Sequence, residues 1–220
     1  MKKVAALLFL LIGFVSTAQD YQFDYLLEYK TDDGEPRNYY VNSANSDYML
    51  IDAADKQILS KDQTVFFAVS FEGVTNIYHI DKDELPEETA ELIATDGKEV
   101  VINGFTCKRY LYKALVPDEK RRNKKVPVTY EFYIMGDTID SAGIFNTNSF
   151  YIGLGYVFKN LPKGTLVKFG NIADKNFVAY AMTLVKVTKL ASPLKPEITK
   201  EMIAKLLKNK INLRIEKFNN

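Results

Sequence analysis

The chain has 220 residues, with 29 Lys and Arg against 28 Asp and Glu, and this near-neutral balance gives no general reason to expect a nucleic acid as partner. Apolar residues make up 47% of the sequence, which excludes a disordered chain and is typical of one globular domain with a sizeable core. The single cysteine excludes an internal disulfide, so stability must come from core burial.

Residues 1–18 have the three parts of a secretory signal peptide. A pair of lysines precedes the apolar run Val4–Val15, and Ser16 and Ala18 occupy the two positions that a signal peptidase reads. As a helix, the run would extend roughly 18 Å, whereas a bilayer core is about 30 Å thick. We therefore expect cleavage between Ala18 and Gln19 and export to the periplasm or the medium.

Removal of such a signal peptide predicts that residues 19–220 form a soluble domain. Gln19 stands where a lipoprotein would carry its lipidated cysteine, and the only cysteine, Cys107, lies far downstream. No later stretch is long and apolar enough to cross a membrane. We therefore expect neither a lipid anchor nor a transmembrane segment in the mature chain.

Alternation of aromatic and polar residues predicts strands through the first half of the chain. The predicted strands cover 21–30, 39–41, 48–51, 64–71 and 75–80. A turn is expected at Asp32-Asp33-Gly34, and another at Glu72-Gly73. Leu85-Pro86-Glu87-Glu88 favours the start of a short helix that ends near Gly97, since proline and acidic residues suit a first turn.

The second half is predicted to begin with a long strand over 99–113, with a bulge or bend at Asn103-Gly104. Further strands are expected over 126–135, 165–169 and 176–189, with a turn at Gly170-Asn171. Prolines at 193 and 196 mark a break, and the apolar stripe of the next segment predicts a C-terminal helix over about 196–209. The stripe consists of Ile198, Met202, Ile203, Leu206 and Leu207. A last short strand is expected over 211–215.

These elements predict a mainly β (α+β) fold. Roughly eight to ten strands and two or so short helices favour one large antiparallel sheet that curls around at least one helix. The chain has no internal repeat and no low-complexity linker, so 19–220 is expected to form a single β-rich domain.

Candidate catalytic residues are few. His79 is the only histidine and Cys107 the only cysteine, and no local motif surrounds either. We expect a strand-end histidine and a buried cysteine that fills the core. Acidic residues between 81 and 91 lack the spacing of a calcium loop and favour a solvated surface. No catalytic residue, metal site or cofactor is therefore expected.

A basic run is the strongest local charge feature, and it falls in the loop predicted between two strands. Its members are Lys120, Arg121, Arg122, Lys124 and Lys125. Such cations suit anionic lipid headgroups or an acidic partner. The alternative is a hairpin tip whose charges only keep the loop soluble.

An aromatic stretch rich in glycine is the best candidate for a lid or cavity wall facing an apolar ligand. Its members are Phe145, Phe150, Tyr151, Tyr156 and Phe158. The alternative is ordinary core packing beneath the sheet, since large aromatic side chains dominate protein cores as well.

The segment Val101-Ile102-Asn103-Gly104-Phe105-Thr106-Cys107-Lys108-Arg109-Tyr110 resembles a strand of secreted Gram-negative domains of unknown function. Those domains are related in fold to the lipoprotein carriers LolA and LolB. The following strand over 128–134, and Leu161-Pro162 with a strand pair after it, fit the same order. The resemblance implies an open half-barrel sheet with helices on its concave face, a hollow that binds acyl chains in the carriers.

The sequence and this resemblance together favour an exported, non-enzymatic binding protein of the cell envelope. It would hold a lipid, a lipoprotein acyl chain or another apolar ligand in the hollow of a curved sheet. The alternative is a secreted or periplasmic interaction domain with a filled core, no small ligand, and another envelope protein as partner. An enzyme ranks third, because no cluster of perturbed polar groups is visible.

Overall fold

A computed structural model describes residues 22–43, 48–53, 56–61, 64–71, 74–81, 88–118, 121–136, 139–142, 156–172, 180–194, 198–209 and 213–216. The predicted signal peptide and its cleavage site lie outside these residues.

The described part of the chain is mainly β. Its strands are β1 (Phe23–Thr31), β2 (Pro36–Val41), β3 (Tyr48–Ala53), β4 (Lys56–Lys61), β5 (Thr64–Phe71), β6 (Val74–Asp81), β7 (Glu88–Ile102), β8 (Phe105–Asp118), β9 (Arg121–Met135), β10 (Tyr156–Phe158), β11 (Thr165–Asn171), β12 (Tyr180–Leu194) and β13 (Leu213–Glu216). The helix α1 (Lys200–Asn209) precedes β13.

These 13 strands form one sheet in the order β10-β7-β8-β9-β11-β12-β1-β2-β3-β4-β5-β6-β13. Neighbouring strands are antiparallel, as between β8 and β9, except that β10 runs parallel to β7. Within the described residues the sheet is open, with β10 and β13 at its edges. The predicted large antiparallel sheet is confirmed, whereas the predicted number of strands was too low.

The missing strands have identifiable causes. β4, with the sequence KQILSK, carries too few apolar residues for a clear alternation, yet all six of its residues pair with β3 and β5. The predicted single strand over 99–113 is two strands, β7 and β8, which meet at Asn103-Gly104. Both residues have positive φ, 51° and 84°, and Ile102 pairs with Phe105, so this is a two-residue hairpin turn rather than a bulge.

The helix predicted to end near Gly97 is wrong for all its described residues. Residues from Glu88 onward belong to β7 and pair with β8. The β-branched residues of this segment and its pairing with a long neighbouring strand outweigh the helix-start signal, since tertiary pairing readily overrides weak local propensity. Its expected start at 85–87 lies outside the described residues.

Two segments that were predicted as a loop and a turn also belong to strands. Arg121 to Lys125 form the beginning of β9, where Asp118 pairs with Arg121 and Pro117 with Lys125. Gly170 and Asn171 end β11 and pair with both neighbouring strands, so the predicted turn is not there. β12 also continues past the predicted break at Ser192-Pro193 as far as Leu194. Polar and glycine residues are thus accommodated inside strands whose neighbours supply hydrogen bonds.

The C-terminal helix is confirmed, with its described helical residues beginning at Lys200. Thr199 caps it, because its Oγ1 accepts a hydrogen bond from the backbone N–H of Met202 at 3.2 Å. Glu201 in the first turn and Lys208 in the last suit the helix dipole. The last strand, β13, is confirmed at 213–216 and pairs with β6.

The sheet buries apolar side chains on both faces. Ile58 belongs to a main cluster that extends through β1, β2, β8, β9, β11 and β12. Its neighbour Leu59 belongs to a second cluster, which includes Phe66, Ile77 and Ile203 of α1. Successive side chains of a strand point to opposite faces, so the two clusters lie on opposite sides of the sheet. The helix therefore covers the face that the main cluster does not use.

Candidate functional site

An ionic cluster joins the three neighbouring strands β8, β9 and β11. The carboxylate of Glu131 on β9 accepts hydrogen bonds from Lys168 Nζ on β11 at 2.8 Å and from an Arg109 guanidinium nitrogen on β8 at 3.0 Å. The hydroxyl of Tyr133 donates to the same carboxylate at 3.3 Å. A second carboxylate, Asp96 of β7, lies 3.9 Å from Arg109.

At this cluster, burial and the neighbouring positive charges shift the pKa of Glu131 in opposite directions. Burial raises the pKa of Glu131, but the hydrogen bonds and positive charges of Lys168 and Arg109 outweigh it and hold the pKa below its ordinary value. Burial, together with the Glu131 charge, raises the pKa of Tyr133. Lys168 Nζ and the Arg109 guanidinium also lie 5.4 and 5.9 Å from the Tyr133 ring centre. This arrangement ties three strands together and keeps Glu131 ionised.

The sequence prediction missed this cluster because its members are far apart along the chain. Glu131 did carry a local signal, since a carboxylate stands between the buried aromatic residues Tyr130 and Phe132. An acidic residue on the outer face of such a strand requires either water or cationic neighbours. Which strands flank β9 could not be read from the pattern.

The predicted aromatic lid is only partly within the described residues. Phe158 is 1% exposed and lies in the main cluster, with ring centres of Tyr112, Tyr130, Phe132 and Phe169 at 4.6 to 6.3 Å. Tyr156 begins β10. Phe145, Phe150 and Tyr151 lie outside the described residues. Phe158 therefore lies in the core, and the lid itself stays a prediction.

Tyr112 places a polar group in this aromatic core. It is fully buried and packs edge-to-face against Phe132 and Phe158, and no group among the described residues accepts a hydrogen bond from its hydroxyl. Burial, with a smaller contribution from Tyr110, raises the pKa of Tyr112 to about 12. The hydroxyl is therefore a protonated donor, and a ligand or water oxygen placed beside it would satisfy it.

Most of the basic run lies on the hairpin of β8 and β9, and we call residues 114–118 and 121–128 of this hairpin the basic arm. Within the described residues, β8 pairs with β7 as far as Lys113 and β9 pairs with β11 from Tyr130, and the two halves of the arm pair with each other. Ala114, Val116 and Val128 face the main cluster.

The exposed residues of the basic arm and its base are charged and partly apolar. Lys124 and Lys125 are exposed, and so are Lys113 and Pro127 at its base. Leu115 is 52% exposed and pairs with Pro127 across the arm. Arg121 and Arg122 begin β9, and Lys120 lies outside the described residues. The arm therefore presents cations beside a small apolar patch.

A cleft of about 490 Å³ opens between the β1–β2 turn and β12. Its lining residues are Lys30, Thr31, Asp32, Asp33, Gly34, Asn103, Thr183 and Val185. Asn103 closes one side, since its amide donates to the Leu184 carbonyl at 2.9 Å. A hydrogen bond from the Thr31 hydroxyl lowers the pKa of Asp33, which is fully exposed. The polar groups that line the cleft can therefore form hydrogen bonds while they remain in contact with water.

Cys107 and His79 lie in different parts of the sheet. Cys107 is 2% exposed in the main cluster, which confirms the predicted buried cysteine, and burial raises the pKa of its thiol. Half-buried His79 stacks on Phe66, a member of the second cluster, with ring centres 6.5 Å apart. The described residues contain no group of three or more His, Cys, Asp or Glu side chains that could hold a metal ion.

No protein-family model matches this chain, and no curated protein matches it significantly. No described helix combines the length and the apolar character that crossing a bilayer requires.

Proposed function

We propose that this chain is an exported, non-enzymatic interaction domain of the cell envelope that docks on anionic surfaces through the basic arm. The observation that carries the proposal is the exposure of Lys124 and Lys125 on a hairpin whose described residues over the arm pair with each other. Exposed cations on one hairpin can contact the headgroups of an anionic surface.

The surroundings of the arm support this role. Leu115 is exposed between the basic residues at the end of the arm and Lys113 at its base, and a surface with both kinds of group is typical of proteins that bind membrane interfaces. The inner face of the arm is packed in the main cluster, so the cations project from a firm base. Phe158 fills the core beneath, which favours surface docking over an internal ligand at that point.

Vesicle co-sedimentation tests the proposal. The exported protein should bind vesicles that contain phosphatidylglycerol, and should not bind pure phosphatidylcholine vesicles. Each basic residue near an anionic surface contributes about 1 kcal/mol, so the double variant Lys124→Glu/Lys125→Glu should bind roughly tenfold more weakly or worse. The control Lys98→Glu/Lys163→Glu makes the same charge change at exposed positions outside the arm and should bind normally.

Two results would overturn the proposal. Binding that is equal on neutral and anionic vesicles would assign no role to the cations. Equal loss in the arm variant and in the control would show that only net charge matters, with no docking surface on the arm.

A second candidate function is favoured by the unpaired hydroxyl of Tyr112. In this alternative, a lipid or lipoprotein acyl chain occupies a hollow of the curved sheet, and an oxygen of its polar end accepts the Tyr112 hydrogen bond. Native mass spectrometry of protein purified from its own periplasm tests it. A co-purifying acyl species that is lost in Tyr112→Phe would support a carrier, and a protein mass without added ligand would support the interaction domain.

A further inference from the structure

The cleft of about 490 Å³ lies where three segments that are distant along the chain meet. The β1–β2 turn supplies Asp32 and Asp33, the β7–β8 turn supplies Asn103, and β12 supplies Thr183 and Val185. Its volume is within the range of small-molecule sites, roughly 300–1,000 Å³. β8 begins directly after the β7–β8 turn and ends in the basic arm, so the cleft and the arm are separate surfaces.

The β1–β2 turn that carries both carboxylates is held by backbone hydrogen bonds. The Gly34 N–H donates to the Thr31 carbonyl at 2.9 Å, and the Asp32 N–H donates to the Ala181 carbonyl of β12 at 3.1 Å. The Thr31 hydroxyl also donates to the Asp33 carboxylate. This wall of the cleft is therefore formed before a ligand arrives, and a preformed site loses less entropy on binding.

The opposite wall is shaped by a bulge in β12. The register between β1 and β12 shifts from Glu28 to Tyr29, which leaves Val185 without a partner on β1. Bulges re-aim side chains and are frequent beside functional sites. Val185 is 52% exposed and lines the cleft. The carbonyl of the preceding residue, Leu184, accepts the hydrogen bond from the Asn103 amide at 2.9 Å, so the bulge also holds the β7–β8 turn in place.

The polar groups of the cleft mostly accept hydrogen bonds. The carboxylates of Asp32 and Asp33 accept only, and the side-chain oxygen of Asn103 adds a further acceptor. The Lys30 ammonium donates only, whereas the Thr183 hydroxyl can donate or accept. Two carboxylates against one ammonium disfavour an anionic ligand. A fitting ligand donates several hydrogen bonds, accepts at least one and carries no negative charge.

We infer that this cleft binds a neutral saccharide unit. Sugar hydroxyls donate to the carboxylates of Asp32 and Asp33, and a hydroxyl oxygen accepts from the Lys30 ammonium. The C–H groups of the sugar ring contact Val185, the exposed apolar side chain of the cleft. A diamine fits less well, because it offers no acceptor to Lys30 and meets a like charge there. Saccharide binding and vesicle binding use different surfaces, so each can fail independently of the other.

Amide NMR spectra of the exported protein test the inference, with maltose, cellobiose and N,N′-diacetylchitobiose as probes. At least one disaccharide should shift the signals of residues 30–34 and 183–185 in a saturable way. Asp32→Asn should weaken this binding roughly tenfold, because it replaces a charged acceptor and keeps the backbone N–H. The matched control Glu99→Gln removes the same charge at an exposed position outside the cleft and should leave binding unchanged.

A second variant separates the hydroxyl from the charges. Thr183→Val keeps the shape of the side chain and should also weaken disaccharide binding, whereas Thr106→Val, at an exposed position of β8 outside the cleft, should not. All four variants should bind anionic vesicles like the unaltered protein.

Three results would overturn the inference. The first is an absence of shifts with all three disaccharides, or shifts confined to residues outside the cleft. The second is equal weakening in Asp32→Asn and Glu99→Gln, which would show an effect of net charge alone. The third is putrescine shifting the same signals at a lower concentration than any disaccharide, which would assign the cleft to cations.

Discussion

The Glu131 carboxylate on β9 accepts a hydrogen bond from Nζ of Lys168 on β11 at 2.8 Å, across a strand pair whose sequence positions are far apart. The side chain of Glu131 is 13% exposed, so its charge depends on these protein partners rather than on water. The pair links β9 and β11 in the middle of the sheet.

Glu131→Gln should therefore lower the free energy of unfolding at pH 7 by about 1–3 kcal/mol, because hydrogen bonds to a charged group are lost. The folded pKa of Glu131 is depressed, so its contribution exists above the unfolded pKa and is lost as the pH falls through the folded pKa. Urea unfolding at pH 7 and near pH 3 measures this change, and the two proteins should converge in acid.

Glu28→Gln is the matched control for that variant. Glu28 lies 3.7 Å from Lys186, and both side chains are well exposed. An exposed ion pair of this kind contributes roughly 0–1 kcal/mol. A loss at Glu28 as large as that at Glu131 would contradict the role assigned to the buried cluster.

Tyr112→Phe should leave stability unchanged or raise it, by up to about 1–3 kcal/mol, because it removes a buried hydroxyl that has no acceptor. Tyr29→Phe should have the opposite effect, since the Tyr29 hydroxyl donates to the Leu166 carbonyl at 2.6 Å in the core. Thermal unfolding of both variants makes the comparison. Destabilisation of the Tyr112 variant would mean that the hydroxyl has a partner, such as a bound ligand.

Gly164→Ala should be destabilising by about 1–3 kcal/mol or more, since its φ of 141° is a conformation that alanine rarely adopts. An added Cβ would also collide with the Met135 carbonyl oxygen and lie 2.9 Å from Ile134 Cγ2. Gly136→Ala is the control, because nothing lies within 4 Å of a Cβ there. Chemical denaturation measures the stability of both variants. Equal losses of stability in the two variants would contradict this account.

Cys107 should react slowly with a thiol reagent in the native protein and quickly after denaturation. The thiol is buried, its Sγ donates to the Val100 carbonyl at 3.5 Å, and its raised pKa leaves little thiolate. Labelling with a chromogenic disulfide before and after addition of urea measures the ratio of the two labelling rates. Equal rates would place the thiol at the surface.

The sequence was sufficient for features that depend on local periodicity. Alternation from Phe23 to Tyr29 predicted a half-buried strand, and Phe23, Leu27 and Tyr29 are buried in β1. The apolar stripe from Ile198 to Ile203 predicted the helix that packs with Phe66 and Ile77. The dipeptide Asn103-Gly104 is a strong signal for a hairpin turn, so the boundary between β7 and β8 was predictable. The sequence analysis interpreted it as a bulge or bend instead.

Only the tertiary structure decided which strands lie side by side and what each face contacts. Alternation determines that a strand has two faces, but pairing between distant segments depends on the whole sheet, and no local pattern encodes it. That pairing brings Arg109, Glu131 and Lys168 together, buries Phe158 in the core, and makes 88–97 part of strand β7. Residue types alone predicted an export signal, which stays a prediction, and a β-rich core, which the structure confirms; the contacts that suggest a function arose from long-range strand order.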